Sequence, residues 1–486
     1  MPASRKSGIL LHITSLPNEY GIGDLGREAY DFIDFLHASG QKLWQILPLG
    51  PTDFFGSPYA PYSAFAGNLH LISPDLLLKE ELILESDLDS IQFDSPEAKY
   101  ILIKQAFARF QKRSSADLQA EYERFCRSNQ FWLDDFALFM ALKHHFKRVS
   151  WIEWSEELAM RKESTLVHWR EKLALETEQQ IFGQYLFFRQ WEKLKDYAHK
   201  KGISIIGDLP LFVAHDSADV WAKPELFLLD KRGLPEFVAG VPPDYFSRTG
   251  QLWGNPVYNW DAHYEERFDW WLKRIEVLLQ LVDLVRVDHF RGLAAYWQIP
   301  YGEKTAINGR WMPGPGSDFF AAVKTELGTL PFIAEDLGFI DDAVIELRDK
   351  WKLPGMRVLQ FAFEALKPNI HSPHAHTENC AVYTGTHDND TTLGWYQKSN
   401  PKVKDYVCRY LNCDGTDIAW DLIRAALASP ANLAITPLQD ILALDSSARM
   451  NVPGTVAGNW RWRLSAHHLT EEIGLRLKDL TELYDR

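Results

Sequence analysis

Cysteine is scarce in this chain, with four residues (Cys126, Cys380, Cys408 and Cys413) among 486. That is too few for a disulfide scaffold, and no two form a C-x-x-C pair, so zinc or dithiol redox chemistry has little footing. Free thiols in a reducing cytosol are the expectation. Long apolar runs are missing as well. The opening stretch MPASRKSGILLHITSLP has an apolar run over residues 8–11 only, too short for a signal peptide. No later segment approaches the ~20 apolar residues of a membrane span, which predicts a cytoplasmic protein with no membrane partner. Positive charge is in deficit: 52 Lys and Arg against 66 Asp and Glu leave a formal charge of −14. That balance argues against nucleic acid or an anionic membrane as the partner. Low-complexity tracts are absent, and with 46% apolar and 24% charged residues the composition excludes disorder.

Aromatic residues, by contrast, are plentiful. The chain has 18 Trp, 18 Tyr and 28 Phe against 6 Met, more Trp than a core requires. Length alone, at roughly 150 residues per domain, suggests about three domains, although α/β barrels stretch that rule.

Short apolar runs ending in Gly, Pro or a polar residue recur along the chain, separated by helical patterns. They cover residues 7–13 (SGILLHI), 42–47 (KLWQIL), 203–208 (ISIIGD), 284–288 (LVRVD), 332–335 (FIAE), 356–361 (MRVLQF), 381–386 (AVYTGT) and 433–437 (LAITP). Eight strand-then-helix units predict an α/β fold, a TIM (β/α)8 barrel. The Gly-rich phosphate turn of a doubly wound sheet is absent after the first run. Two intervals exceed ordinary barrel connections. Residues 74–200 read as a mainly helical insertion between the second and third strands. Residues 209–261 read as an aromatic-rich loop insertion between the third and fourth, of a length that is usually functional. One barrel with inserted subdomains therefore accounts for residues 1–486, and no C-terminal β-domain is evident.

Barrel enzymes carry their chemistry at the C-terminal ends of the strands. Here those ends hold Asp208 (GDLP), Asp288 (VRVDHFRG), Glu335 (AEDLG) and Asp388 (GTHDND). One such acid is commonly a helix cap, the reading given to Asp336, Asp341 and Asp390. Four acids on separate strands converge on one pocket, and capping is a poor account of all four. Convergent carboxylates suit divalent-metal binding or glycosyl transfer. Arg286, two residues before Asp288, points to the same strand face. A cation there favours an ionised Asp288 and disfavours a bound metal. Glu335 acts as an acid near neutral pH only if an apolar site raises its pKa. His387 suits a sugar hydroxyl, whereas His12, His70, His215 and His289 show no metal-cluster spacing and read as structural. Aromatic rings stack on the apolar faces of pyranoses, and Trp253, Tyr245, Tyr59 and Phe361 fall in predicted loops or at a strand end. Trp132, Trp151 and Trp154 lie in the helical insertion and read as packing residues.

On these residues the sequence resembles the 4-α-glucanotransferases of glycoside hydrolase family 77. The likeness runs through GILLHITSLP, WQILPLGPT, GSPYAPYSAFAGN, GDLPLFVAHDSADVW, VAGVPPDYFSRTGQLWGNP, VRVDHFRG, AEDLG, GTHDNDT and NVPGT, in the family's order. The resemblance implies a retaining transferase, without cofactor or metal, acting on α-1,4-glucans (maltooligosaccharides, starch or glycogen). It also implies a barrel that lacks a C-terminal β-sandwich domain. Carried over position by position, it implies Asp288 as nucleophile, Glu335 as general acid/base and Asp388 as transition-state stabiliser. Arg286, His387, Tyr59, Ser57 and Asp208 match substrate-contacting positions, and Trp253 belongs to a loop over the acceptor side.

Overall fold

The computed structural model describes residues 5–52, 56–93, 95–243, 247–455, 457–465 and 467–486. The strands, in chain order, are β1 (Lys6–Leu10), β2 (Leu43–Gln45), β3 (Ser204–Leu209), β4 (Phe237–Val241), β5 (Gln251–Pro256) and β6 (Leu284–Val287), then β7 (Ala295–Pro300), β8 (Arg310–Pro313), β9 (Phe332–Ala334), β10 (Gly355–Val358), β11 (Cys380–Tyr383) and β12 (Leu433–Pro437). Eight of them close a barrel in the order β1-β12-β11-β10-β9-β6-β3-β2. Every pairing in it is parallel, and β1 against β12 seals the ring over five register pairs from Lys6–Leu433 to Leu10–Pro437. These are the eight apolar runs of the sequence. Their inward side chains, among them Leu10, Leu43, Ile206, Ile333, Met356 and Ile435, form a separate interior cluster, the packed centre that such barrels need. Parallel closure puts all eight C-terminal strand ends on one rim, and so gathers the acids that the sequence scatters over 180 positions.

The second layer differs from expectation. Residues 209–261 do not form only a loop: they carry β4 and β5. These pair with β7 and β8, which follow β6, in an antiparallel sheet of order β5-β4-β7-β8. Strands such as FVAGV and QLWGNP, each interrupted by a glycine, hide the period-2 alternation that marks a strand. Residues 74–200 hold a run of helices, the longest being Ala116–His145 and Ala174–Lys200. The Ser115 side chain accepts from the Leu118 N–H and caps the first of these. Its last turn carries Lys143, a cation that suits a helix C-terminus.

Most of the aromatic surplus goes into this packing. Trp44, Trp151, Trp191, Trp221 and Trp271 are fully buried, and Trp132 and Trp154 are buried too. Only some of the surplus was expected to stack on sugars, and the buried part chiefly joins the insertion and the outer helices to the barrel. After β12 the described residues form helices, ending with Glu471–Leu483, and no further strand. No helix among the described residues is long and apolar enough to cross a membrane.

Candidate active site

Arg286, on β6, is the electrostatic centre of the rim. Its Nη1 donates to Asp208 Oδ2 at 2.7 Å, and its Nη2 lies 2.9 Å from Asp288 Oδ1. The two-residue spacing puts Arg286 and Asp288 on one face, while the β3–β6 register sets Asp208 opposite Arg286. Burial alone would lower the arginine's pKa, but Asp208 and Asp288 outweigh it and hold the guanidinium charged. Asp208 is completely buried on its side chain, and its Oδ2 also accepts from the Tyr59 hydroxyl at 2.6 Å. Its Oδ1 has no hydrogen-bond partner. Burial, reinforced by the Asp208 charge, raises the Tyr59 pKa far out of reach, so Tyr59 stays a donor. Ser57 is placed one step back, its Oγ accepting from the Tyr59 N–H at 3.2 Å.

Glu335 follows β9 directly. Its Oε2 accepts from the main-chain N–H of His289 at 2.8 Å and its Oε1 from that of Leu337 at 3.2 Å. His289 adopts a left-handed conformation (φ 51°), sparsely populated for a residue with a Cβ. That twist turns the residue after Asp288 toward Glu335. Gly292 ends the same motif because a Cβ there would come within 2.2 Å of Leu211 Cδ2. Burial pushes Glu335 up to about 8, with Arg286 opposing and Asp288 adding to the rise. Asp288 is pushed up to about 7 by burial, against the pull of Arg286. The arginine alone therefore does not keep Asp288 in the ordinary carboxylate range. Its ion pair and a 28% exposed side chain still make Asp288 the easier of the two to ionise.

Asp388 sits beyond β11 on a loop, with 41% of its side chain exposed. His387 Nε2 is 3.4 Å from Asp388 Oδ1. Burial, with help from Arg286, lowers the His387 pKa against the pull of Asp388, leaving a neutral imidazole. The Tyr59 and His387 rings stack at 5.2 Å and 12°, which ties the β2 loop to the β11 loop. Trp253, on β5, meets the His289 ring edge-on at 4.8 Å. Four acids, Arg286, His387, Tyr59 and Trp253 are thus brought into one connected neighbourhood.

Phe361 departs from expectation. The predicted strand over 356–361 stops at Val358, and Phe361 lies on the helix Leu359–Glu364, packed against the barrel's interior cluster and edge-on to His371. Tyr245 lies outside the described residues. Of the acids read as caps, Asp341 does cap Asp342–Lys350. Asp336 is instead a buried ion-pair partner of Arg348 and Arg357, and Asp390 accepts from Ser446 and Lys398.

Sequence reasoning missed the segment after β12. Asn451 Nδ2 donates to Asp388 Oδ1 at 2.6 Å, and Arg449 Nη2 to the Asp388 carbonyl, also at 2.6 Å. Trp460, in a left-handed conformation (φ 64°), packs against Tyr59 and His387. The NVPGT motif was the available signal, but nothing local says that it reaches Asp388. No group of three or more His, Cys, Asp or Glu side chains among the described residues has a metal-holding arrangement.

A parallel barrel with carboxylates gathered around one arginine at its C-terminal rim has the parts of an enzyme that works on glycosidic bonds. The family model for 4-alpha-glucanotransferases of glycoside hydrolase family 77 matches residues 11–470. A 4-alpha-glucanotransferase of Synechocystis sp. is 50% identical over 99% of this chain and 98% of that protein. Its counterpart from Thermus thermophilus is 46% identical over the full length of both. The amylomaltase of Streptococcus agalactiae, solved in complex with acarbose, superposes with a TM-score of 0.95 at 43% identity, covering 99% of each chain. The chain belongs to the 4-alpha-glucanotransferase family.

Proposed function

We propose that this enzyme is a retaining transferase that moves α-1,4-glucan segments from a donor to the 4-hydroxyl of an acceptor, through a covalent glucosyl–Asp288 intermediate. The observation that carries the reading is the contrast between two neighbouring carboxyls. Asp288 is ion-paired to Arg286, whereas Glu335 accepts only main-chain N–H groups and is pushed higher. One is suited to attack as an anion, the other to deliver a proton.

In the first half-reaction an Asp288 oxygen bonds to C1 of the donor as the C1–O4 bond breaks. Glu335 passes its proton to the departing O4. In the second, the Glu335 carboxylate takes the proton of the acceptor's 4-hydroxyl, whose oxygen bonds to C1 as the bond to Asp288 breaks. Two inversions leave the α-configuration unchanged. Asp388, aimed by Asn451 and flanked by neutral His387, stabilises the oxocarbenium-like charge and the sugar hydroxyls. Arg286, Asp208, Tyr59 and Ser57 hold the reacting sugar. Trp253 provides an acceptor surface and excludes water, which is what makes transfer outrun hydrolysis. Phe361, on its helix, is read as a further contact for the sugar. The substrates are maltooligosaccharides and longer glucans, in keeping with the acarbose held by the Streptococcus agalactiae relative. The four free cysteines suit work in the reducing cytoplasm. Incubation with maltotriose alone tests the reading. A ladder of longer glucans with released glucose is expected, and only shorter products would mark a hydrolase.

A further inference from the structure

Phe339 is the most exposed large apolar side chain of the described residues, 64% accessible. A lone exposed phenylalanine is ordinary, but this one is built into a stack. Its ring lies 6.4 Å from that of Trp311 at 25°. The Arg291 guanidinium sits against both rings, 3.9 Å from the centroid of Trp311 and 5.1 Å from that of Phe339. Arg291 is itself buried, with Nη2 on Asp341 at 2.9 Å and no hydrogen-bond partner for Nε or Nη1. The aromatic faces are thus what its remaining charge meets, an attraction that locks rings and cation together. Trp297 meets Trp311 edge-on at 5.2 Å and secures the stack from the antiparallel sheet.

The stack is continuous with the catalytic rim. Arg291 lies three residues after Asp288, Phe339 four after Glu335, and the two loops meet at the His289–Glu335 hydrogen bond. Gly338 (φ 82°) makes the turn before Phe339. A flat, rigid, uncharged ring face beside a carbohydrate site matches the apolar face of a pyranose.

We propose that the outer face of Phe339, backed by Trp311 and Arg291, is a platform that binds an α-1,4-glucan chain beyond the sugars at the reacting centre. It makes the enzyme prefer long glucans. The proposal rests on the transferase reading above. It is tested by comparing KM for maltotriose and maltoheptaose in the wild type, Phe339→Ala and Phe339→Tyr. Phe339→Ala is expected to raise KM for maltoheptaose about 5- to 10-fold more than for maltotriose, the worth of one lost stacking contact. Phe339→Tyr, which keeps the flat ring, restores the preference. Equal KM changes for both donors, with the product ladder intact, overturn the platform alone. A wild-type enzyme that makes no ladder from maltotriose overturns the transferase reading instead.

Discussion

The main-chain N–H of His289 donates to Glu335 at 2.8 Å, so the residue after Asp288 anchors the carboxyl on the next barrel strand. One strained turn thereby sets both acids. Both are raised by burial, Asp288 to about 7 and Glu335 to about 8. The proposed mechanism needs Asp288 ionised and Glu335 protonated. kcat/KM is expected to rise with pH through about 7 and fall above about 8. Carboxyls at ordinary values, near 4, would instead make activity fall steadily from pH 5 upward, and a pH profile of kcat/KM separates the two cases.

The same shift has a stability consequence. Glu335 is raised from 4.5 to about 8 on folding, so its contribution is intact below pH 4.5 and is lost as pH climbs to about 8. Glu335→Gln removes that ionisation. The variant's Tm should exceed the wild type's by about 1–3 °C at pH 9 and converge with it at pH 5. Differential scanning calorimetry at the two pH values checks the sign.

Tyr59 holds a fully buried anion, Asp208, through a 2.6 Å hydrogen bond. Tyr59→Phe keeps the ring stacked on His387 and deletes only the donor. A hydrogen bond to a buried charge is worth about 1.5–3 kcal/mol, so kcat/KM should fall roughly 10- to 100-fold. Unchanged kcat/KM would mean that the Arg286 contact alone positions Asp208.

Asn451 donates to Asp388 at 2.6 Å. Asn451→Ala loses the donor, whereas Asn451→Asp sets an anion against an anion. Repulsion makes Asp the worse replacement, by about tenfold in kcat/KM at pH 7.5. If Ala is worse than Asp, shape rather than charge is what Asn451 supplies.

Trp253 is the test of water exclusion. Trp253→Ala should raise the ratio of hydrolysis to transfer severalfold, measured as new reducing ends against ladder products from maltotriose. A constant ratio would relieve Trp253 of that role.

The barrel was legible because its eight strands are apolar runs that stop at acids, Gly or Pro, and parallel closure then follows from their number. Asp208, Asp288, Glu335, Arg286 and His387 were legible because strand ends need no knowledge of the loops. Asn451 and Trp460 were not. Their approach to Asp388 and Tyr59 depends on how the segment after β12 folds back over the rim, which no local pattern encodes. Asp336 looked like a cap because its partners, Arg348 and Arg357, arrive through tertiary packing. The strand read over 356–361 ran too far because its LQF looks strand-like but turns helical after Val358. The antiparallel sheet escaped because it joins strands from two separate barrel connections, β3 to β6 and β6 to β9.

The covalent step is open to direct observation. Glu335→Gln has no acid to protonate a glycosidic oxygen, but fluoride leaves without one, so an α-maltosyl fluoride donor still reaches the Asp288 ester. Without its base, the variant cannot readily pass the sugar on. Intact-protein mass spectrometry should show one added maltosyl group, and peptide mapping should place it on Asp288. No adduct, or an adduct on any other carboxylate, would contradict the account.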